Sequence, residues 1–269
     1  VMCTGTLISP TVVLTAGHCV DPLFVSGQVP GFTLDLDGNA DSAVIVPGLE
    51  AIPHPDFDLL TTPEPGIQVW NDIGVLTLTQ PIPDVVYELL PSTAEATATL
   101  APEATVDLVG YGVTTTDTME FGIKTQGRAT LVEVGTHELF IGKPGEQQNC
   151  NGDSGGPAFL DVAGERRVFG VVSRGPDSDP TCDHGGLHTR VDPYVSWIVS
   201  VAPQLCDELD CGATGVPRPR EPEVPQDDDP PLGDPTSDAG GCRTATSLDS
   251  GLLLVLLAIG FGRRRSALG

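Results

Sequence analysis

Short apolar runs separated by turn residues recur from the start of the chain to about residue 202. The runs are rich in Val, Thr and Leu, and Gly or Pro stands between many of them. This pattern is typical of many short β-strands and turns rather than of long helices. It is clearest at residues 11–15, 43–46, 73–79, 105–109, 128–134 and 168–173. It predicts an all-β fold.

The last part of this region shows helical spacing instead. Four large side chains stand at positions i, i+3, i+4 and i+7, the spacing of one helix face: Tyr194, Trp197, Ile198 and Val201. This spacing predicts an amphipathic helix over residues 191–202 that packs on the β-structure. We therefore expect one folded domain over residues 1–202, a length that can bury a sizeable core.

The composition changes abruptly after residue 202. Residues 203–240 are dominated by Pro, Asp, Glu and Gly and offer little that a core could bury, which predicts a flexible acidic linker. Residues 241–269 form a third segment, in which an apolar run at 252–261 precedes three arginines at 263–265. A short helix is expected in the apolar run. Its length would be about 15 Å, about half of the hydrocarbon thickness of a bilayer.

The charge balance bears on the partners of the folded domain. The chain has 13 Lys and Arg against 37 Asp and Glu, which gives a formal net charge of -24. A surface this acidic repels polyanions such as nucleic acid. We expect no nucleic-acid binding, and we interpret the excess of acid as a solvated surface.

The cysteines indicate an oxidising compartment. None of the seven stands in the paired CxxC arrangement that is typical of zinc sites, so disulfides in a secreted protein are the simpler interpretation. The count is odd, and Cys242, isolated in the third segment, is the natural candidate for a separate role. No basic stretch followed by an apolar run opens the chain, so no signal peptide is visible in it.

Two short segments carry side chains suited to proton transfer. In the string Leu-Thr-Ala-Gly-His-Cys at 14–19, an apolar run leads His18 into a turn of small residues. A single histidine in such a place is a structural residue as often as a functional one. In the string Trp-Asn-Asp at 70–72, Asp72 stands before an apolar run, where an Asp is commonly a turn or capping residue.

A third segment is far more specific. Residues 150–157 have the sequence Cys-Asn-Gly-Asp-Ser-Gly-Gly-Pro, in which three glycines surround Ser154. Glycine permits backbone conformations that other residues avoid, and it lets a substrate carbonyl approach closely. A flexible surface loop is the alternative interpretation, but it does not account for the two other segments.

The three strings, in the order His, Asp, Ser, resemble the chymotrypsin and trypsin family of serine proteases. Subtilisin-like and α/β-hydrolase enzymes carry these residues in other orders. Further matches extend the resemblance over residues 1–202: His54-Pro55, Gly110-Tyr111-Gly112, Ser173-Arg174-Gly175, residues 186–191 and Trp197-Ile198. It implies two six-stranded antiparallel Greek-key β-barrels and a C-terminal helix. Cys3 matches the cysteine before the first hairpin of the family, so we expect N-terminal strands and the activation site to be missing.

The resemblance implies a secreted serine endopeptidase that works through an acyl-enzyme. Ser154 would be the nucleophile, His18 the general base and Asp72 its partner. The backbone N–H groups of Gly152 and Ser154 would form the oxyanion hole. Asp153 matches the carboxylate that pairs with the free amino terminus of the activated family member.

The family also implies two disulfides, Cys3 with Cys19 and Cys150 with Cys182. The first would brace the turn that carries His18, and the second would brace the specificity pocket. A local pair of Cys206 and Cys211 is a further hypothesis without a counterpart in the family.

Five residues match substrate-binding positions of the family: Gln148, Ser173, Gly175, Gly186 and His188. Gln148 stands where trypsin has the Asp that selects Arg or Lys. A neutral amide offers no charge partner, so we expect no strong preference for those residues. Gly175 and Gly186 imply an open pocket. His188 would either favour an acidic or polar substrate side chain or simply fill space.

Neither a cofactor nor a metal is expected. The acidic stretch at residues 35–41 resembles a calcium loop only superficially, because its glycine stands at the wrong position and no Glu follows at the required spacing. A solvated acidic turn is the better interpretation. The expected partners are protein or peptide substrates, and we expect a monomer.

The third segment resembles the C-terminal sorting signals of myxobacterial surface proteins. Its arginines would hold the orientation of the apolar run in the membrane, and Cys242 would be processed and lipidated on the exported side. We therefore expect attachment to the membrane or cell envelope through Cys242. A transmembrane anchor is the alternative, although the run is short for one.

Two functions from other classes stay open. A catalytically inactive, protease-like binding module would keep the barrels without catalysis. A structural surface protein would display an adhesive face. The presence of all three catalytic residues and of the oxyanion glycine favours the enzyme.

Overall fold

The computed structural model describes residues 3–114, 120–176, 181–212 and 214–219. Short antiparallel strands predominate in them: β1 (Thr6–Leu7), β2 (Val12–Thr15), β3 (Gly31–Phe32), β4 (Val46–Pro53), β5 (Gly74–Leu78), β6 (Thr105–Gly110), β7 (Thr125–Val134), β8 (Glu138–Ile141), β9 (Pro157–Val162), β10 (Glu165–Arg174) and β11 (Gly186–Arg190). The helices are α1 (Gly17–Val20), α2 (Thr93–Thr99), a 3-10 turn (Asp192–Tyr194), α3 (Val195–Val201) and α4 (Gln204–Glu208). The all-β class that the sequence predicted is confirmed.

The first half of the chain forms a five-stranded sheet in the order β1-β2-β5-β4-β3. Successive residues of β2 face opposite sides, since Val13 packs in one apolar cluster while Val12 and Leu14 pack in another. Among the described residues no strand joins β1 to β3, and each of these outer strands is two residues long. The first of the two expected six-stranded barrels is therefore a half-barrel here.

The second half closes into a six-stranded barrel in the order β10-β11-β8-β7-β6-β9. The residues of β6 alternate between the two faces of this barrel. Val106 and Leu108 point into it, while Thr105 and Asp107 are exposed. This alternation is what a strand with one buried face requires. The interior is filled by apolar side chains of β6 to β10, among them Leu131, Leu139, Ile141, Ala158, Leu160 and Phe169.

A separate apolar cluster joins the two halves. It combines Leu14 and Ile73 of the sheet region with Phe159 and Val171 of the barrel and Ile198 of α3. His18 follows β2, Asp72 precedes β5, and Ser154 precedes β9. The residues singled out by the sequence therefore reach one junction from both halves of the fold.

The predicted helix over residues 191–202 is present in two parts. Pro193 lies in the first turn, which is a 3-10 turn, and α3 continues from Val195 to Val201. Tyr194 and Ile198 are buried in the joining cluster, as the helical spacing predicted.

Packed structure continues beyond residue 202, where the linker was expected to begin. Leu205, Leu209 and Val216 are buried, and a disulfide joins Cys206 to Cys211. The composition concealed this because so few apolar residues are involved. The rest of the expected linker and the whole third segment, including Cys242, lie outside the described residues.

Polar contacts hold this C-terminal extension against the domain. Thr11 Oγ1 donates to Glu208 Oε1 over 2.7 Å. Arg218 Nη1 donates to the Leu90 carbonyl over 2.7 Å, and its Nη2 donates to Glu95 Oε2 over 2.8 Å. The extension thus contacts both the sheet and the start of α2. In the described part of the chain, no helix is long and apolar enough to cross a membrane.

Candidate active site

His18 and Asp72 form a hydrogen-bonded pair. His18 Nδ1 lies 2.8 Å from Asp72 Oδ2, and the His18 backbone N–H donates to Asp72 Oδ1 over 2.9 Å. α1 lies close enough to the strand after Asp72 that a Cβ on Gly17 would stand 3.1 Å from Ile73 backbone atoms. A larger residue before His18 would therefore require the Ile73 backbone to give way.

Asp72 is fully buried, and each part of it is bonded. Besides the two bonds from His18, its Oδ2 accepts a hydrogen bond from Ser173 Oγ over 2.6 Å. Its backbone carbonyl accepts one from Thr189 Oγ1 over 2.8 Å. A buried carboxylate is tolerated only when it is hydrogen-bonded in this way, and the arrangement leaves it one orientation, towards the His18 ring.

Ser154 lies beside the His18 turn. Its carbonyl oxygen accepts a hydrogen bond from Thr4 N over 2.7 Å and lies 3.5 Å from Cys19 Sγ. In the described part of the chain, Ser154 Oγ makes no hydrogen bond to the His18 ring. Such bonds are often long in substrate-free enzymes and shorten when substrate binds.

The turn around Ser154 depends on glycine. Gly152 has φ +97° and Gly155 has φ +84°, conformations that other residues rarely adopt. A Cβ on Gly155 would also stand 2.1 Å from Thr15 Oγ1. Neither the Gly152 nor the Ser154 backbone N–H has an acceptor among the described residues, so both are available to an oxyanion.

Asp153 fixes this turn from behind. Its two carboxylate oxygens accept hydrogen bonds from Gly112 N and Cys150 N, each over 2.8 Å. Burial raises its pKa, against the opposing effect of these hydrogen bonds. A Cβ on Gly110 would lie 1.8 Å from Asp153 Oδ1, which explains the two glycines that flank Tyr111.

Disulfides brace the loops on both sides of the site. Cys3 is bonded to Cys19, directly after His18, and Cys150 is bonded to Cys182 beside the Ser154 turn. Cys3, His18 and Cys19 are also the one cluster of potential metal ligands among the described residues. Because the two sulfur atoms are bonded to each other, the cluster offers no thiolate to a metal.

A cavity of about 480 Å³ opens next to Ser154. Three of the expected substrate-binding residues line it, namely Ser173, Gly175 and Gly186. The order and spacing of the catalytic residues, the buried Asp–His pair and the adjacent cavity are the arrangement of a serine protease.

Comparison with known sequences agrees with this geometry. The sequence model of the family described as Trypsin matches residues 1–198. The chain belongs to the trypsin family. Its fold, a closed barrel with a half-barrel beside it and few helices, is consistent with that family.

Several trypsin-family relatives are similar to the chain. Melanization protease 1 of Drosophila melanogaster is 29% identical over 232 residues, which cover 73% of this chain and 57% of that protein. Chymotrypsin-like elastase family member 1 of Canis lupus familiaris is 28% identical over 220 residues, 74% of this chain and 80% of the relative. Renal glandular kallikrein of Mastomys natalensis is 28% identical over 221 residues, again 74% and 80%. The chain thus spans little more than half the length of the first of these relatives.

The structure places Gln148 away from the expected pocket floor. Its side-chain Nε2 donates to the Lys143 carbonyl over 2.6 Å, and its Oε1 accepts a hydrogen bond from Gly185 N. Gln148 does not line the cavity beside Ser154. Both ends of its amide are thus bonded to the backbone of the loops around the cavity, and its role in substrate selection stays a prediction.

His188 is not among the residues that line the cavity. It is fully buried, with its ring nitrogens 3.1 Å from the Gly186 carbonyl and 2.9 Å from Asn149 Oδ1. Burial lowers its pKa to about 4. Asn149 lines the cavity instead, and His188 holds it in place.

Arg174, which was not predicted as a site residue, lines the cavity between Ser173 and Gly175. Its Nη1 donates to Glu138 Oε1 over 2.6 Å, and its guanidinium lies 4.9 Å from the centre of the Trp70 ring. Glu138 is buried, so the charge of Arg174 is matched within the protein. Arg174 stands inside the string Ser173-Arg174-Gly175, and this position could have marked it as a residue of the site. Its ion-pair partner Glu138 lies 36 residues away in the sequence, so the pairing could not be predicted.

Proposed function

We propose that this trypsin-family chain is an extracellular serine endopeptidase that cleaves proteins or peptides through an acyl-enzyme. The observation that carries the proposal is the buried Asp72 carboxylate bonded to both the ring and the backbone of His18, beside Ser154 on a glycine-rich turn. The three disulfides support an oxidising, extracellular setting.

In acylation, Ser154 Oγ attacks the scissile carbonyl carbon while His18 Nε2 accepts the hydroxyl proton. Asp72 holds the other ring nitrogen and stabilises the imidazolium that forms. The proton then passes to the leaving amine as the peptide C–N bond breaks. In deacylation a water molecule attacks the carbonyl carbon of the acyl-enzyme while His18 accepts a proton from it. That proton then passes to Ser154 Oγ as the ester bond breaks.

The backbone contributes to this reaction as directly as the side chains do. The N–H groups of Gly152 and Ser154 have no acceptor among the described residues, and we assign to them the substrate oxygen on which negative charge develops. One such donor typically supplies about 2.7–4 kcal/mol of transition-state stabilisation. Asp153, held by Gly112 and Cys150, keeps these donors in place before substrate arrives.

For specificity we propose no strong preference for Arg or Lys. The acidic residue that lines the cavity, Asp183, is exposed, and its Oδ1 accepts a hydrogen bond from Gly145 N over 2.9 Å. An exposed, screened carboxylate is a weak partner for a substrate cation. Arg174 also lines the cavity, but its charge is matched by the buried Glu138. Asn149, Asn151 and Ser173 add uncharged polar groups to the lining, and we infer that the cavity favours an uncharged substrate side chain.

Hydrolysis assays on purified protein test the activity. Ser154→Ala removes one hydroxyl from a turn held by backbone contacts, so the variant should fold like the wild type and lose peptide hydrolysis. His18→Ala should be comparably severe because triad residues act as a unit. Near wild-type turnover by either variant would refute the mechanism. A substrate library should show no dominant cleavage after Arg or Lys; dominance of these residues would refute the specificity.

The inactive binding module is the competing function. It predicts a folded protein that binds peptides but does not hydrolyse them, with no difference between wild type and Ser154→Ala. Circular dichroism of both proteins would show that the comparison is made between folded chains.

Surface attachment is part of the same proposal, although Cys242 lies outside the described residues. The processed protein should lack the arginines at 263–265 and carry a lipid on Cys242. Mass spectrometry of the C-terminal peptide from surface-localised protein tests this. An unmodified C-terminus that ends at Gly269 would exclude it and favour release or a transmembrane anchor.

A further inference from the structure

The residue before the catalytic carboxylate has a strained backbone. Asn71 has φ +58°, in the left-handed region that only glycine adopts freely and that Asn tolerates better than most residues. Its carbonyl accepts a hydrogen bond from Ile73 N over 2.8 Å, across Asp72. Asp72 is the central residue of this tight turn, and its side chain is bonded to His18.

The side chain of Asn71 is held in place by a distant part of the chain. Tyr194 Oη donates to Asn71 Oδ1 over 2.7 Å, across 123 positions of sequence. On the other side, Asn71 Nδ2 lies 3.4 Å from the Asp56 carbonyl. The strained turn is therefore clamped from both sides, and the bond from Tyr194 is much the shorter of the two.

Tyr194 is well suited to a fixed role of this kind. It is buried, and its ring packs edge-on against His54 and His137, with ring centres 5.2 and 5.7 Å away. Burial, reinforced by the nearby charges of Glu138 and Asp56, raises the pKa of Tyr194. Its hydroxyl therefore remains a proton donor throughout the neutral and moderately alkaline range.

We propose that Tyr194 is a positioning residue of the serine protease reaction: its hydroxyl holds Asn71 in the left-handed turn and thereby aligns Asp72 with His18. The inference rests on the proposed function. Tyr194 does not touch the reacting atoms, so its effect must pass through Asn71. A tyrosine that only fills the core would act on stability alone.

Tyr194→Phe tests the proposal in the full chain, since it removes the hydroxyl and keeps the ring. We expect kcat to fall on the order of tenfold with KM nearly unchanged, because misalignment affects proton transfer and not substrate binding. Tyr87→Phe is the matched control. The Tyr87 hydroxyl donates to the Ile82 carbonyl over 3.0 Å, away from the catalytic residues, and its loss should leave kcat within about twofold of the wild type, as expected for a residue outside the site.

A second substitution shows whether the effect passes through Asn71. Asn71→Gly adopts positive φ without support from a side chain. In the Asn71→Gly background, Tyr194→Phe should therefore produce little further loss of kcat. An equal loss in both backgrounds would overturn the proposal, and so would a kcat for Tyr194→Phe no lower than that of Tyr87→Phe.

A spectroscopic readout separates this inference from the proposed function. The proton shared by His18 Nδ1 and Asp72 Oδ2 is expected to give a low-field NMR resonance, which should broaden or shift in Tyr194→Phe and not in Tyr87→Phe. A wild-type protein with no hydrolytic activity but with this response would refute the enzyme and keep only the alignment of Asp72 with His18 by Tyr194. An active enzyme whose resonance is the same in wild type and Tyr194→Phe would refute the positioning role alone.

Discussion

Ser173 provides a direct measure of how much the buried carboxylate depends on its surroundings. Its Oγ donates to Asp72 Oδ2 over 2.6 Å, and both side chains are buried. Ser173→Ala removes this bond and leaves almost no cavity, because only a hydroxyl is lost. The Asp72 carboxylate would then keep the two hydrogen bonds from His18 and lose the third, which Ser173 donates.

The size of the effect follows from the charge of the acceptor. A hydrogen bond to a charged group contributes about 1.5–3 kcal/mol, against about 1 kcal/mol for a neutral acceptor. For a domain of this size, a loss of about 2 kcal/mol lowers Tm by roughly 4–8 °C. We also expect kcat/KM to fall on the order of tenfold, because a less constrained Asp72 orients His18 less well for proton transfer.

Thr189→Val is the matched comparison. It removes the hydroxyl that donates to the Asp72 backbone carbonyl over 2.8 Å, a neutral acceptor, so both losses should be smaller. Differential scanning calorimetry and peptide hydrolysis measure the two effects side by side. If Ser173→Ala kept wild-type Tm and activity, or if Thr189→Val were the more damaging change, the account of Asp72 would be wrong.

Three further changes test other parts of the structure. In Gly112→Ala a Cβ would stand 2.6 Å from Asp153 Cγ, so the oxyanion turn must move and kcat should fall about 10²–10³-fold, as for the loss of one donor. Burial lowers the pKa of His188 from 6.5 to about 4, so as pH falls the unfolded chain binds a proton before the folded chain does. The free energy of unfolding should therefore drop by about 3 kcal/mol between pH 6.5 and pH 4. His188→Gln should make this drop smaller. Arg218→Ala should cost about 1–2 kcal/mol in denaturant unfolding, whereas Arg128→Ala, which breaks a well-exposed ion pair, should cost under about 0.5 kcal/mol.

The candidate triad could be located in the sequence because the immediate neighbours of these residues determine the local backbone. A side chain at Gly155 or Gly156 would collide with neighbouring atoms, and one at Gly17 would press on the Ile73 backbone. The strand pattern was sound for the same reason, since alternation is a local property. At residues 43–46 it failed: β4 begins only at Val46, and Val44 N donates to Asp35 Oδ2 instead of to a neighbouring strand.

Side-chain directions in the specificity region could not be predicted in this way. Gln148 turns to the Lys143 carbonyl and Gly185 N, and His188 turns to Asn149. These partners are brought near by loop packing, which sequence spacing does not show. The burial of Val216 could not be predicted either. The surrounding sequence is acidic and rich in Pro, and its composition does not show that a few apolar side chains pack against the domain.

Labelling with a fluorophosphonate probe tests the central claim most directly, because the probe reacts with an activated serine and not with an ordinary hydroxyl. The account predicts a single covalent adduct on the full chain, located by mass spectrometry at Ser154 and absent from Ser154→Ala and from His18→Ala. A folded wild-type protein that remains unlabelled, or one that is labelled at another residue, would contradict it.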